Sequence, residues 1–277
     1  MKKILMSALL LGGIYVSQAQ PIKTPAPSPA QTVKQEFGLG SVELSYSRPN
    51  MKGRKIYGDL VPYNAVWRTG ANSATTLTFT DEVIIGGKKV PAGKYGLLTI
   101  PGASKWTIII SKQTNVTSPA AYKEDQDVVR VSADPVAMPF PTETFTILIS
   151  DVKANSMNLV ILWDNTAVMV PVTADIDGKV MAQIESTMNK DNKPYFQSAM
   201  YYMENGKDLA KANEWLDKAI AQDPSAFWVW HQKANCMAKM GKKSEAVTAA
   251  NKSIELAKAA KNDDYVALNQ KLLATLK

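Results

Sequence analysis

The chain has 277 residues, 45% of them hydrophobic and 21% charged, which excludes disordered, collagen-like and low-complexity classes and suggests about two globular domains. Its formal charge of +7 does not point to nucleic acid, because residues 20–174 hold 15 basic and 12 acidic side chains and residues 175–277 hold 15 and 13. One Cys and one His exclude an internal disulfide and a Cys or His zinc cage; no metal or cofactor is expected.

Lys2 and Lys3, an apolar run over residues 4–16 and the small-x-small ending Ser17-Gln18-Ala19 form the pattern of a secretory signal peptide over residues 1–19. No later apolar run reaches the ~18–20 residues of a membrane span, so the expected protein is exported, periplasmic or extracellular, with no membrane span. Pro21, Pro25, Pro27 and Pro29 follow. They predict an extended, polyproline-like leader over residues 20–32.

Residues 33–174 read as a β domain. Val42-Glu43-Leu44-Ser45-Tyr46 and Thr76-Leu77-Thr78-Phe79-Thr80 alternate apolar and polar side chains, as half-buried strands do. Val83-Ile84-Ile85, Gly86-Gly87 and Lys88-Lys89-Val90 read as a hairpin, since Gly accepts the positive φ of a primed turn. Further strands are predicted over residues 95–100, 106–111, 128–132, 144–151, 156–163 and 167–172. The gaps leave no room for crossover helices, so the expected fold is an antiparallel β-sandwich.

Residues 175–277 change period from two to about 3.6 and read as helices. Tyr195, Ala199, Tyr202 and Gly206 recur 35 positions later as Trp230, Ala234, Met237 and Gly241, and Ala212 recurs as Ala246. These sets resemble the tetratricopeptide repeat, with Lys233 standing where a Leu is usual. Two copies are fewer than such arrays need, so helices before Asn192 and after Asp263 are expected to cap them. On this reading the architecture is β plus α and multidomain: a sandwich followed by a helical array that docks a protein partner. On one repeat helix, His231 reads as a packing or surface residue rather than as a catalytic base, and Cys236 as a small buried hydrophobe.

The chain has 28 Lys and four Arg, and Arg48, Arg54 and Arg68 fall within 21 residues. Arg binds carboxylate or phosphate with a planar fork that Lys lacks. Tyr57, Tyr63, Trp67 and Asn72 share this window, with Asp59 as its only acid. Ser47-Arg48-Pro49-Asn50-Met51-Lys52-Gly53-Arg54-Lys55-Ile56-Tyr57-Gly58, Val61-Pro62-Tyr63, Val66-Trp67-Arg68-Thr69-Gly70-Ala71-Asn72 and Pro91-Ala92-Gly93-Lys94-Tyr95 resemble the secreted bacterial family known as domain of unknown function 2911, over about residues 42–172. The resemblance implies a fold and an extracytoplasmic setting, and no reaction.

Two uses of the window are open. In one, the arginines clamp a long loop through backbone carbonyls and Asp59. In the other, Arg48, Arg54, Tyr57, Tyr63, Arg68 and Asn72 line a groove for an anionic or glycan ligand; Arg54, in a polar loop, is then the expected ligand contact and Arg68 the structural one. The alternative to a binding module is a hydrolase or lyase acting on envelope glycans through residues 46–72. It requires two carboxylates facing the window, for which Glu43, Asp59, Asp151 and Asp164 are candidates.

Overall fold

The computed structural model describes residues 24–276, so the expected signal peptide lies outside the described residues. The chain divides into two compact units, one ending at Asp175 and the other starting at Ile176.

The first unit holds ten strands: β1 (Ala30–Phe37), β2 (Gly40–Ser47), β3 (Thr76–Phe79), β4 (Val83–Ile85), β5 (Lys88–Val90), β6 (Gly93–Ile100), β7 (Trp106–Ser111), β8 (Asp127–Ala133), β9 (Pro135–Ser150) and β10 (Ser156–Thr173). They form two sheets, β1-β2-β3-β6-β7-β8 and β5-β4-β10-β9, and every strand pair is antiparallel. Alternate side chains such as Val42, Leu44, Leu97, Ile109, Ile147 and Ile161 are buried. Tyr46 of the first sheet meets Phe145 of the second edge-on at 5.8 Å between ring centroids.

The observed strands correct the expected ones in three places. The leader does not run to Thr32: β1 begins at Ala30 and pairs along its length with β2. Its polar positions hid it. The expected strands at 156–163 and 167–172 are one strand, β10, interrupted by register shifts on either side of Asp164, whose φ is +53°. The irregularity moves the buried set from Leu159, Ile161 and Trp163 to Val168, Val170 and Val172, so the alternation breaks although the strand does not. Finally, β9 starts at Pro135 rather than near Thr144; an edge strand tolerates Pro135, Pro139 and Pro141 because it need not donate on its open side.

The Gly86-Gly87 hairpin forms as expected, with Ile84 opposite Lys89 and φ of +58° and +77° at the two glycines. A Cβ on Gly86 would lie 2.0 Å from the Val131 side chain, so space and backbone both require glycine there.

The second unit is helical: α1 (Asp177–Met188), α2 (Tyr195–Glu204), α3 (Leu209–Gln222), α4 (Phe227–Lys239), α5 (Lys243–Ala259) and α6 (Asp263–Thr275). Gly206 and Gly241, with φ of +65° and +76°, end the turns after α2 and α4, and Asp208 caps α3 by accepting from the Ala210 and Lys211 amides at 2.8 and 3.2 Å. Ala199, Leu216, Ala219, Ala234, Met237 and Ala246 are buried, while Tyr195, Tyr202 and Trp230 are half-buried beside them. Cys236 is buried, and burial pushes its thiol above the ordinary range.

His231 is buried in a polar network. Its Nδ1 lies 2.8 Å from Asn269 Oδ1 and its Nε2 lies 3.0 Å from Asn235 Nδ2. The Asn269 amide also donates to Ser253 Oγ and to the Tyr265 carbonyl. The network joins α4, α5 and α6.

Candidate functional site

Residues 48–75 connect β2 to β3 without forming a strand of their own, yet they are fastened to both sheets. Trp67 exchanges two backbone hydrogen bonds with Thr99 of β6, at 2.7 and 3.0 Å, while the Pro49 carbonyl accepts from Phe145 N of β9 at 2.8 Å. Burial of aromatic side chains anchors the segment: Trp67 stacks on Trp163 at 5.9 Å and meets Phe145 edge-on at 5.1 Å.

The backbone here is strained. Lys52, Asn64, Thr69 and Asn72 all have positive φ. Thr69 is the notable one, since a β-branched residue at φ +55° costs of order 1–3 kcal/mol and persists only where surrounding contacts hold it. Those contacts are present. The Thr69 hydroxyl bonds Thr99 Oγ1 at 3.1 Å and its carbonyl accepts from Thr75 Oγ1 at 2.5 Å, while Trp67 Nε1 donates to the Gly70 carbonyl at 3.1 Å. Arg68 lies between these fixed neighbours.

The three arginines are used differently. Arg48 donates from Nε to the Phe145 carbonyl at 3.1 Å and from Nη2 to Thr146 Oγ1 at 2.7 Å, fastening the end of β2 to β9. Arg54 donates from Nε to the Met51 carbonyl at 2.9 Å and from Nη2 to the Asn50 carbonyl at 2.6 Å. Both therefore spend the fork formed by Nε and Nη2. Arg68 donates from Nη1 to the Thr117 carbonyl, and its buried Nε has no hydrogen-bond partner. An unpaired buried N–H costs about 1–3 kcal/mol.

Arg54 and Arg68 line a common cleft of about 370 Å³, within the range of small-molecule sites. Pro49, Leu60, Val61, Pro62, Val66 and Trp67 supply its apolar walls, and Ser28, Thr117 and Ser118 add hydroxyls. Among the described residues the arginines are the only charged ones lining it. Thr117 and Ser118 belong to the connection between β7 and β8, and Trp163 at the back belongs to β10. Neither was visible from the window, because both come from distant sequence. No local signal in the sequence marks them as cleft residues.

Of the other expected site residues, none lines the cleft. Arg48 joins β2 to β9. Tyr57 is buried against Trp106, with ring centroids 5.1 Å apart. Its hydroxyl is buried without a partner, and burial, followed by the charge of Asp164, pushes its pKa up. Tyr63 is exposed. Asn72 donates to the Ser28 carbonyl at 3.2 Å, which ties the segment before β1 to the cleft rim.

The candidate carboxylates are also absent from the cleft lining. Asp151 accepts from Asn158 and Ser150, which holds its pKa below the usual carboxylate range. In the acidic cluster Glu124-Asp125-Gln126-Asp127, Asp127 is largely buried, accepting from Tyr122 Oη and, at 3.0 Å, from Arg130 Nη1. Among the described residues no group of three His, Cys, Asp or Glu is placed to hold a metal ion.

The family model described as "Protein of unknown function (DUF2911)" matches residues 28–172, just over half of the chain. The chain belongs to this family. No curated protein matches it. The DUF2911 match starts earlier than the resemblance read from sequence. It takes in β1, and every described residue lining the cleft, from Ser28 to Trp163, lies within it.

Proposed function

We propose that this DUF2911 protein is an exported, non-catalytic binding module whose β unit holds a small anionic ligand in the Arg54–Arg68 cleft and whose helices dock a protein partner. The observation that carries the ligand reading is the cleft itself: apolar walls, two guanidinium groups and, among the described residues, no acid in the lining. That is the usual composition of a site for an organic anion. Hydrolysis of glycans by paired carboxylates finds no such pair among the described residues of the cleft lining, so binding is the better-supported reading.

The finer architecture belongs to the same proposal. The Tyr46–Phe145 and Trp67–Trp163 contacts support a sandwich of the two sheets. In the second unit α2 touches α4 and α4 touches α6, and equivalent glycines end α2 and α4. Both features support tetratricopeptide-like stacking of helix pairs, which builds a surface suited to peptide segments. The export part rests on the pattern of residues 1–19.

A saturation-transfer screen of small organic anions against the full chain tests the ligand reading, with Ala71→Trp as the control. Ala71 lines the cleft, and a Trp there fills the space while both arginines remain in the chain. Anions that bind the parent and lose binding in A71W support the proposal; anions that bind both equally place the site elsewhere and refute it.

A further inference from the structure

We infer that Arg68, and not Arg54, is the specificity-determining residue of this cleft, and that the ligand it selects is a carboxylic acid with a flat, apolar body. The inference rests on the binding reading above and narrows it to a chemical class.

In a guanidinium, Nε–H and the neighbouring N–H of Nη2 point the same way, at a spacing that matches the two oxygens of a carboxylate. Arg54 has already closed this fork on the Met51 and Asn50 carbonyls, and Arg48 has closed its own on Phe145 and Thr146 outside the cleft. Arg68 is held by the opposite nitrogen, Nη1, on the Thr117 carbonyl. Its Nε is left buried and unpaired, so the fork of Arg68 is the one among the three that is not closed on protein acceptors. The tether orients the group without consuming the edge that binds carboxylates. Thr69 holds the adjoining backbone at positive φ through buried contacts, which fixes the direction from which Arg68 enters the cleft.

The ligand class follows from what surrounds that fork. Among the described residues no Lys lines the cleft and the Arg54 fork is engaged, so one bidentate position remains, and its spacing matches the two oxygens of a carboxylate. The apolar walls of the cleft include Trp67, Val66, Leu60 and Pro62. Such walls favour a ring or a short apolar chain over a heavily hydroxylated body. Because Nε is buried, a ligand oxygen reaches it with a local shift that exposes it, while the Nη1 bond to the Thr117 carbonyl keeps the guanidinium oriented.

The test compares 2-naphthoate with 2-naphthamide, of the same shape and no charge, by calorimetric titration of the full chain, its Arg68→Lys and Arg54→Lys variants, and A71W. The parent should prefer the acid by roughly 10- to 100-fold, the difference that a charged, bidentate hydrogen bond makes. R68K should bind the amide as the parent does and lose most of the preference. R54K should keep it, because its fork serves the loop, and A71W should bind neither compound. Equal binding of acid and amide by the parent overturns the carboxylate inference and leaves the cleft reading standing. Binding of neither compound, with no other anion bound in the screen, overturns both. A preference lost in R54K and kept in R68K would assign the role to Arg54. Should R68K fail to fold, the acid-to-amide ratio of the parent and its persistence in R54K decide the matter.

Discussion

The Tyr46 hydroxyl and the Ile147 backbone, 101 residues apart in the chain, form a buried hydrogen bond: Ile147 N–H donates to Tyr46 Oη at 3.0 Å. The same hydroxyl donates to Gln31 Oε1 at 2.9 Å, so one side chain joins β1, β2 and β9. Tyr46→Phe keeps the ring against Phe145 and leaves the Ile147 N–H unpaired. A loss of about 1–3 kcal/mol is expected, read from the midpoint of chemical denaturation. An unchanged midpoint would remove this bond from the account of how the sheets are joined.

In the helical unit Ala234 is fully buried with Ala249 and Ala250, beneath Trp230, Leu272 and Leu273. Small side chains there let α4 and α5 approach closely. Ala234→Leu should overpack the contact and destabilise the unit by roughly 1–3 kcal/mol, measured by urea denaturation followed at the helical circular dichroism signal. Stability equal to the parent's would show that the repeat register derived from Ala199 and Ala234 does not describe the packing.

Glu214 lies between Lys211 and Lys218, at 2.8 and 2.6 Å, and these hydrogen bonds hold its pKa down at about 2, against an ordinary 4.5. A depressed folded-state pKa means that the contribution is complete above about 4.5 and is lost as pH falls toward about 2. Glu214→Gln should therefore flatten the dependence of stability on pH across that window and leave it unchanged at higher pH. The three side chains are solvent-exposed, so the effect should be small and should shrink with added salt. An unaltered acid slope in E214Q would contradict this assignment.

Export predicts a mature chain that begins at Gln20, after Ser17-Gln18-Ala19. Intact-mass measurement of the protein recovered from the medium or the periplasm checks this. Recovery of a chain that still carries Lys2 and Lys3 would contradict it.

Where alternation and turn chemistry were strong, the fold was legible in the sequence. Val42 to Tyr46 and the Gly86-Gly87 hairpin are examples, because a half-buried strand and a primed turn each impose a local pattern. β1 was not legible, since an edge strand buries little and Gln31, Lys34 and Gln35 carry no apolar period. β10 looked like two strands because the irregularity at Asp164 reverses which side chains face inward. The arginine window was recognisable as unusual, yet the roles of its members were not. The partners that separate Arg68 from Arg48 and Arg54 include the carbonyls of Thr117 and Phe145, 49 and 97 residues away, and no spacing rule within the window reports them. Sequence favoured Arg54 as the ligand contact because it sits in a polar loop. The geometry supports Arg68 instead, because a hydrogen-bonding fork already closed on backbone carbonyls has nothing left to offer a ligand.

The most direct test of the cleft follows the Arg68 Nε–H itself. The chain has four arginines, so the Nε–H region of a proton–nitrogen correlation spectrum is sparse and R68K assigns the peak. As 2-naphthoate is added, the Arg68 Nε–H proton should move downfield and saturate with the calorimetric affinity, while 2-naphthamide leaves it in place. If 2-naphthoate binds and the Arg68 signal does not move, the ligand is held elsewhere and the central claim is wrong.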